Sequence, residues 1–455
     1  MQHSLRSRLL SGGFWVLTGR LTAAVAALGI SAFVARLLTP AQAGAYYLAA
    51  SVVIFAALVG GLGLPQAAMR IIADALGRDL PGRARTAIAN SLILGVSGAV
   101  LTAFILALLL RNLDARIFHS TYLASYSVLI AIWGATVTGQ TLLAQIFRGF
   151  HDIRIASLVE GWLANILTAA ALIGIWLAYG HCEFKAVVAV HSIAGVIAVA
   201  AGIVLLRPKL VGLIGSGGSS ITELVRISGA LLLAAIAFGG TPPVLVFILG
   251  IFRTQQEVAL YSTALFLVMP IGMMLGLVNG VVPPLIAELY ARREFAQLDR
   301  MLRGSAAVAG LPALLILGVL IVFGRSILAA IYGPYYSNAA SVLALLGIGE
   351  CANVISGSCG ATLMMTGNHR LMASITIISG LLSVILGAAL ARDFGANGIA
   401  FAYMVNLILS NVMMVFGAHM STGIWTHASF SRAFELARSD LDGFAAPRSG
   451  LEDIN

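Results

Sequence analysis

The stretch "ARLLTPAQAGAYYLAASVVIFAALVGGLGLPQAAMRIIAD" (residues 35–74) decides the fold. One apolar helix ends in a short Thr-Pro turn. A second begins near Gly44 and Tyr46 and runs apolar for about the ~20 residues that cross a bilayer core. It closes on "GLGLPQAAMR", where Gly61, Gly63 and Pro65 weaken the helix near its end. Such breaks line cavities or act as hinges in membrane helices, and they also mark plain helix ends. Both readings stay open from sequence.

The same texture covers the chain. Of 455 residues, 60% are hydrophobic and 10% charged, with mean hydropathy +0.98. Soluble domains carry about 25% charged residues, so this composition excludes a soluble enzyme and predicts an integral membrane protein. Helices fit the long apolar runs better than a barrel does. Cys182, Cys351 and Cys359 have neither a disulfide pattern nor metal-ligand spacing. The net charge of +9 is expected to reflect basic cytoplasmic loops rather than nucleic-acid binding. The first apolar stretch, following Arg6 and Arg8, is too long for a signal peptide and predicts a retained helix.

Twelve spans are predicted, at 11–36, 44–66, 87–110, 121–146, 155–179, 185–206, 227–250, 259–286, 304–323, 336–362, 371–391 and 396–417. With the N-terminus inside, 19 of the 27 Lys and Arg residues fall in inner loops and tails, seven in outer loops, and one, Arg20, inside a span. That bias supports twelve spans with both termini cytoplasmic. The expected division is a six-helix lobe at 1–206, a cytoplasmic linker at 207–226, a second six-helix lobe at 227–417, and a cytoplasmic tail at 418–455.

The halves look related. "TPAQAGAYYLA" lies over "TQQEVALYSTA" at an offset of 215, pairing Thr39 with Thr254, Tyr46 with Tyr261 and Arg78 with Arg293. "IASLVEG" lies over "MASITIISG" at a similar offset. Six helices separate each pair, so the repeat is parallel, a pseudo-two-fold about the membrane normal. Two such bundles facing one another can rock about a shared site, which is transporter architecture. The only lysines are Lys185 and Lys209 and neither follows a glycine, so the phosphate-binding loop of P-loop ATPases is missing.

Charges inside the spans are the candidate chemistry. Arg20 lies about 13 Å into the first helix at 1.5 Å per residue, beside Ala23, Ala24 and Ala27. A cation there costs about 2.5–3.5 kcal/mol on insertion scales. A cavity position binding an anionic group would offset that cost, because guanidinium binds phosphate bidentately. The alternatives are snorkelling to the headgroups or pairing with a carboxylate. Glu350 shares a predicted helical stripe with Asn353, Gly357 and Gly360. A carboxyl there carries a proton, pairs with Arg20, or serves only as a buried hydrogen-bonding group. Glu160 and Glu288 are expected to be ion-pair residues near the membrane surface. His191 is expected to make a helix–helix hydrogen bond. "GGTPPVLVFILGIF" (residues 239–252) predicts a bend in helix 7.

These segments resemble the polysaccharide repeat-unit flippases of the multidrug/oligosaccharidyl-lipid/polysaccharide exporter superfamily. The similarity rests on "LLTPAQAGAYYLA", "LGLPQAAMR", "LLAQIFRGFHDIRIAS", "ALYSTALFLVMP", "VVPPLIAELYARRE" and "LMMTGNHRLMASI". Helix 7 departs from the family pattern in having no charge. The resemblance implies a non-enzymatic transporter without cofactors or metals, in which no bond is made or broken. It moves undecaprenyl-diphosphate-linked oligosaccharide repeat units to the periplasmic leaflet by alternating access. A polysaccharide polymerase and export machinery are its expected partners alongside membrane lipids. Arg20, Gln66, Gln140, Asn279 and Asn353 are the candidate substrate-binding residues and Glu350 the candidate coupling residue. Two alternatives are a cation-coupled multidrug or small-molecule exporter and a membrane-embedded polymerase or glycosyltransferase. Grouped carboxylates would mark the first, and a catalytic loop the second.

Overall fold

The computed structural model describes residues 25–117, 122–213, 215, 221–429 and 431, and these contain helices and no strand. The first helix, α1 (Val25–Leu37), leads into the Thr-Pro turn. There α2 (Pro40–Gly60) starts on a capping box: the Gln42 amide donates to the Thr39 hydroxyl and the Thr39 amide donates to the Gln42 side chain. Pro40 takes a first-turn position, where its missing N–H costs nothing.

The chain then breaks where Gly61, Gly63 and Pro65 predict it. Leu62 and Gly63 adopt positive φ (51° and 71°) before α3 (Leu64–Gly77) resumes. The later half repeats the device, with α12 (Gln255–Val278) giving way to α13 (Val282–Ala291). Pro65 and Pro283 sit in the first turns of the resumed helices.

Between them lie α4 (Pro81–Ile117), the short α5 (Tyr122–Ser125), α6 (Ser127–Gly149), α7 (Ile153–Ser157), α8 (Leu163–Tyr179) and α9 (Phe184–Val211). A π-helical turn, Leu158–Trp162, joins α7 to α8 and carries Glu160. After the linker come α10 (Ile221–Gly239) and α11 (Thr241–Phe252), bent by 58° at the expected helix 7 break. The chain continues through α14 (Phe295–Tyr332), α15 (Ala340–Ser356), α16 (Cys359–Met365) and α17 (His369–Thr422). Among the described residues nine helices are long and apolar enough to cross a membrane, ten if α10 and α11 form one span. The 54-residue α17 rises about 80 Å at 1.5 Å per residue, far more than the ~30 Å hydrocarbon core. Its backbone leaves helical geometry at Gly395 (φ 54°, ψ −132°).

The parallel repeat is visible in backbone hydrogen bonds. α3 ends in a Schellman turn: the Asp79 amide donates to Leu76 O and the Leu80 amide to Ala75 O. At an offset of 214, the Arg293 amide donates to Tyr290 O and the Glu294 amide to Leu289 O. The positive-φ residues are Asp79 (56°) and Arg293 (60°). Each turn even carries the same i,i+4 ion pair at 2.8 Å, Arg78–Asp74 and Arg292–Glu288. A second such pair of turns recurs at an offset of 216, where the Asp152 amide donates to Phe147 O and the Asn368 amide to Leu363 O. By this register Arg78 corresponds to Arg292, one residue from the sequence alignment.

The helices fall into two compact units. One comprises Met1–Leu267, Phe323–Leu346 and Gly380–Tyr403. At its arginine-rich end, Leu64, Ile72, Ile88, Ile146 and Phe147 pack α3, α4 and α6 together, and Leu213 and Leu224 tie the ends of the linker to the same cluster. The other comprises Val268–Val322, Gly347–Ser379 and Met404–Asn455. Its corresponding cluster joins Val282, Ile286, Leu298, Leu302 and Ile424. In hydrocarbon such contacts act through close packing more than through transfer from water.

Candidate functional site

In the second unit, the span predicted at 336–362 is not continuous. α15 ends at Ser356 and α16 starts at Cys359, with Gly357 at φ 70° between them. A Cβ on Gly357 would meet Thr426 O at 2.3 Å, so the close approach needs glycine. The break frees carbonyls, and the segment after α17 satisfies them. The Thr426 hydroxyl donates to Ser356 O (3.0 Å) and the Ala428 amide to Ile355 O (2.8 Å). The expected single stripe through Glu350, Asn353, Gly357 and Gly360 is therefore interrupted. Glu350 and Asn353 lie on α15, and Gly360 lies beyond the break.

Glu350 and Asn353 come together, with Asn353 Nδ2 donating to Glu350 Oε2 at 3.5 Å. Gly272 of α12 leaves room for the carboxylate, since a Cβ there would sit 2.7 Å from Oε2. Asn279 is two turns further along, on the same face as Gly272. Its Oδ1 is buried and has no hydrogen-bond partner in the described structure. Beyond the break, Cys359 Sγ donates to Asn411 Oδ1 (3.4 Å) while Asn411 Nδ2 donates to Leu407 O (2.8 Å). Asn406 Oδ1 is also buried without a partner. Unsatisfied amide oxygens in an apolar interior cost roughly 1–3 kcal/mol each. They are places where a polar ligand or water gains a hydrogen bond.

In the first unit, Gln66 is half-buried in the first turn of α3, just past the helix break. Gln140 is buried between α6 and α9, where a Cβ on Gly195 would lie 3.2 Å from its Nε2. One to two turns away, His191 fulfils the expectation of a helix–helix bond. Its Nε2 lies 2.9 Å from Tyr46 Oη and its Nδ1 lies 2.9 Å from Val187 O. Tyr46 also stacks on Trp133 (centroids 5.7 Å, 17°). Arg20 lies outside the described residues. The two surface carboxylates are ion-paired as expected, Glu160 with Arg148 and Glu288 with Arg292.

At the end opposite the arginine-rich loops, sequence reasoning missed a clamp in the first unit. Arg253 donates to Ala391 O (3.0 Å) and Asp393 O (3.1 Å), and pairs with Glu257 at 3.7 Å. Glu257 Oε2 accepts from the Ala396 amide (3.1 Å). Gly395 makes this possible, because a Cβ there would stand 1.9 Å from Glu257 Oε2. In the corresponding turn of the earlier half the Cys182 amide donates to Leu37 O (3.1 Å). Arg36 donates to the carbonyls of Ala330 and Ile331, closing the end of α14.

Broken apolar helices that carry half-buried and buried amides and, at Glu350, a carboxylate have the features of a membrane transporter. Solved structures share its fold. An inward-facing multidrug resistance MATE family transporter of the MOP superfamily aligns with TM-score 0.72 at 14% identity, over 89% of this chain and 98% of that one. The lipid II flippase MurJ, in an inward closed conformation, aligns with TM-score 0.71 at 12% identity, over 96% and 93%. Residues 9–290 match the sequence family described as "Polysaccharide biosynthesis protein", and the chain belongs to that family. A curated relative from Haloferax volcanii, "Probable low-salt glycan biosynthesis flippase Agl15", is 27% identical over 169 residues, 37% of this chain. The match spans about a third of that relative's length (36%).

Proposed function

We propose that this protein is a flippase for lipid-linked oligosaccharides. In this reading it carries undecaprenyl-diphosphate-linked repeat units from the cytoplasmic to the periplasmic leaflet of a bacterial inner membrane. The chain makes twelve passes in two six-helix lobes, 1–206 and 227–417, joined by the linker 207–226, with both termini and the tail 418–455 cytoplasmic. The observation that carries the reading is the family match over residues 9–290. The flippase relative and the fold shared with a lipid II flippase support it.

Transport needs no covalent chemistry. The costs are desolvating a diphosphate and a row of hydroxyls, both large in hydrocarbon. Arg20 offsets the first by charge-assisted hydrogen bonds. Gln66, Gln140, Asn279 and Asn353 meet the sugar hydroxyls, and the unpartnered Asn279 Oδ1 is an acceptor ready for one. Glu350, beside Asn353, couples the cycle by taking and releasing a proton.

The test follows lipid-linked repeat units in cells lacking this protein and any redundant flippase. They should accumulate on the cytoplasmic leaflet, and normal appearance outside would refute the reading. Arg20→Lys should retain more transport than Arg20→Ala. Glu350→Gln should flatten the pH dependence of transport. The fold shared with a multidrug transporter favours a second reading, cation-coupled export of small molecules. Drug efflux that depends on Glu350, with normal glycan flipping in its absence, would establish that reading instead.

A further inference from the structure

An apolar recess in the first unit is lined by none of the candidate polar residues. α4 and α9 both pack on α6, and a groove of about 710 Å³ runs between them with α6 as its floor. Its walls are apolar along their length. The one hydroxyl among them, Thr136 Oγ1, is already spent on Trp133 O at 2.8 Å. The rim residues Val96, Val100 and Phe104 are about 60% exposed, so the groove opens sideways into the bilayer. A recess with no free polar group stays dry, and a sugar has nothing to bind there. Only a hydrocarbon chain fits its chemistry.

Length and charge say which hydrocarbon. Along α4 the groove reaches from Leu92 to Ala107, a rise of about 22 Å at 1.5 Å per residue. One leaflet of a ~30 Å core is about 15 Å deep, so the groove runs past the midplane, beyond the reach of a phospholipid acyl chain anchored at one surface. Its arginine-rich end is bracketed by two exposed cations, Arg85 and Arg207. Arg85 is two turns before Leu92 on the same face of α4, and Arg207 is one turn after Ile203 on α9. Neighbouring cations are engaged: Arg83 with Glu223, Arg148 with Glu160, and Lys209 with Asp152. Arg85 and Arg207 make no ion pair or hydrogen bond among the described residues.

We infer that the groove between α4, α6 and α9 holds the tail of a long-chain polyprenyl phosphate, with the phosphate on Arg85 and Arg207. The identity of the lipid rests on the flippase reading. The groove then captures the carrier lipid by its tail before the sugar enters the polar interior, or retains the carrier after release. Basic sites between membrane helices at the arginine-rich side bind anionic headgroups by the same electrostatics.

The experiment uses the full chain in nanodiscs and measures binding of undecaprenyl phosphate, farnesyl phosphate and dioleoyl phosphatidylglycerol by native mass spectrometry. Undecaprenyl phosphate should bind at least ten-fold more tightly than the other two. Arg85→Gln with Arg207→Gln should remove most of that advantage. Ala103→Phe, which fills the groove without touching charge, should weaken undecaprenyl phosphate and leave farnesyl phosphate unchanged. Ala107→Phe provides a second filling variant should Ala103→Phe fail to fold. Equal binding of phosphatidylglycerol, or wild-type binding by the folded filling variant, would overturn the inference. Flipping by the wild type alongside wild-type binding by these variants would sink the groove and spare the flippase. Tight prenyl-phosphate binding without flipping would do the reverse.

Discussion

Glu350 and Gly272 are in steric register: the missing side chain of Gly272 is what makes room for the Glu350 carboxylate, 2.7 Å from where a Cβ would stand. Gly272→Ala must push the carboxylate away from α12 or part the helices. It should lower transport at least ten-fold, and Glu350→Ala should do the same. Helical content and expression should stay near normal, because alanine suits a helix interior. Transport of lipid-linked glycan in proteoliposomes, set against circular dichroism of the same preparations, checks this.

The turn at Gly395 combines a positive φ with the 1.9 Å approach to Glu257. Gly395→Ala should destabilise the protein by about 2–3 kcal/mol, through strained backbone and loss of the carboxylate's bond to the Ala396 amide. Breaking the Arg253–Glu257 pair alone should cost about 0.5–1 kcal/mol, as expected for a half-exposed ion pair. A double-mutant cycle on thermal stability would separate the two contributions.

His427 lies beyond the last membrane helix. Burial lowers its pKa below the ordinary 6.5, and the Arg303 charge adds to this, while Asp299 opposes. The folded state therefore favours neutral imidazole. The stabilisation is complete above the unfolded pKa near 6.5 and is lost as pH falls through the lower folded value. The segment that caps the α15 break should loosen on acidification. His427→Gln should flatten the fall in thermal stability below about pH 7 relative to wild type.

The bond between Tyr46 and His191 joins α2 to α9 at 2.9 Å. Tyr46→Phe should cost about 1 kcal/mol by leaving His191 Nε2 without that partner. His191→Gln, whose amide can still bond the Tyr46 hydroxyl, should cost less than His191→Ala. Thermal melts of the single variants and the pair would measure it.

What was legible in the chain was local. Gly61, Gly63 and Pro65 announce the break after α2, whereas α2 itself starts at Pro40 on the Thr39–Gln42 cap, four residues before the expected Gly44. Pro242 and Pro243 forecast the helix 7 bend. Glu160 and Glu288 declared themselves as ion-pair residues by sitting near arginines at span ends. The repeat was legible too, displaced by one residue at Arg78 because insertions in turns shift the alignment. The break at Gly357 was hidden, since one glycine among several in an apolar run reads as packing. The Arg253–Glu257 clamp was hidden for another reason. Its partners are backbone groups at 391–396, which no side-chain pattern betrays. Of the candidate site, Glu350 and Asn353 come together, while Asn406 and Asn411 gave no sequence signal beyond being amides in a helix.

The clamp also divides the first unit mechanically. Arg253 and Glu257 lock one end of the first unit, and Arg36 seals the last turn of α14 there. The interruptions at 61–63, 279–281 and 357 all fall in the arginine-rich half of their helices. Within the first unit, stiffness and compliance are thus distributed unequally between the clamped end and the broken, arginine-rich end. Thermal fluctuation is cheapest beside the basic loops, and amides there should exchange hydrogen sooner than those beneath the clamp.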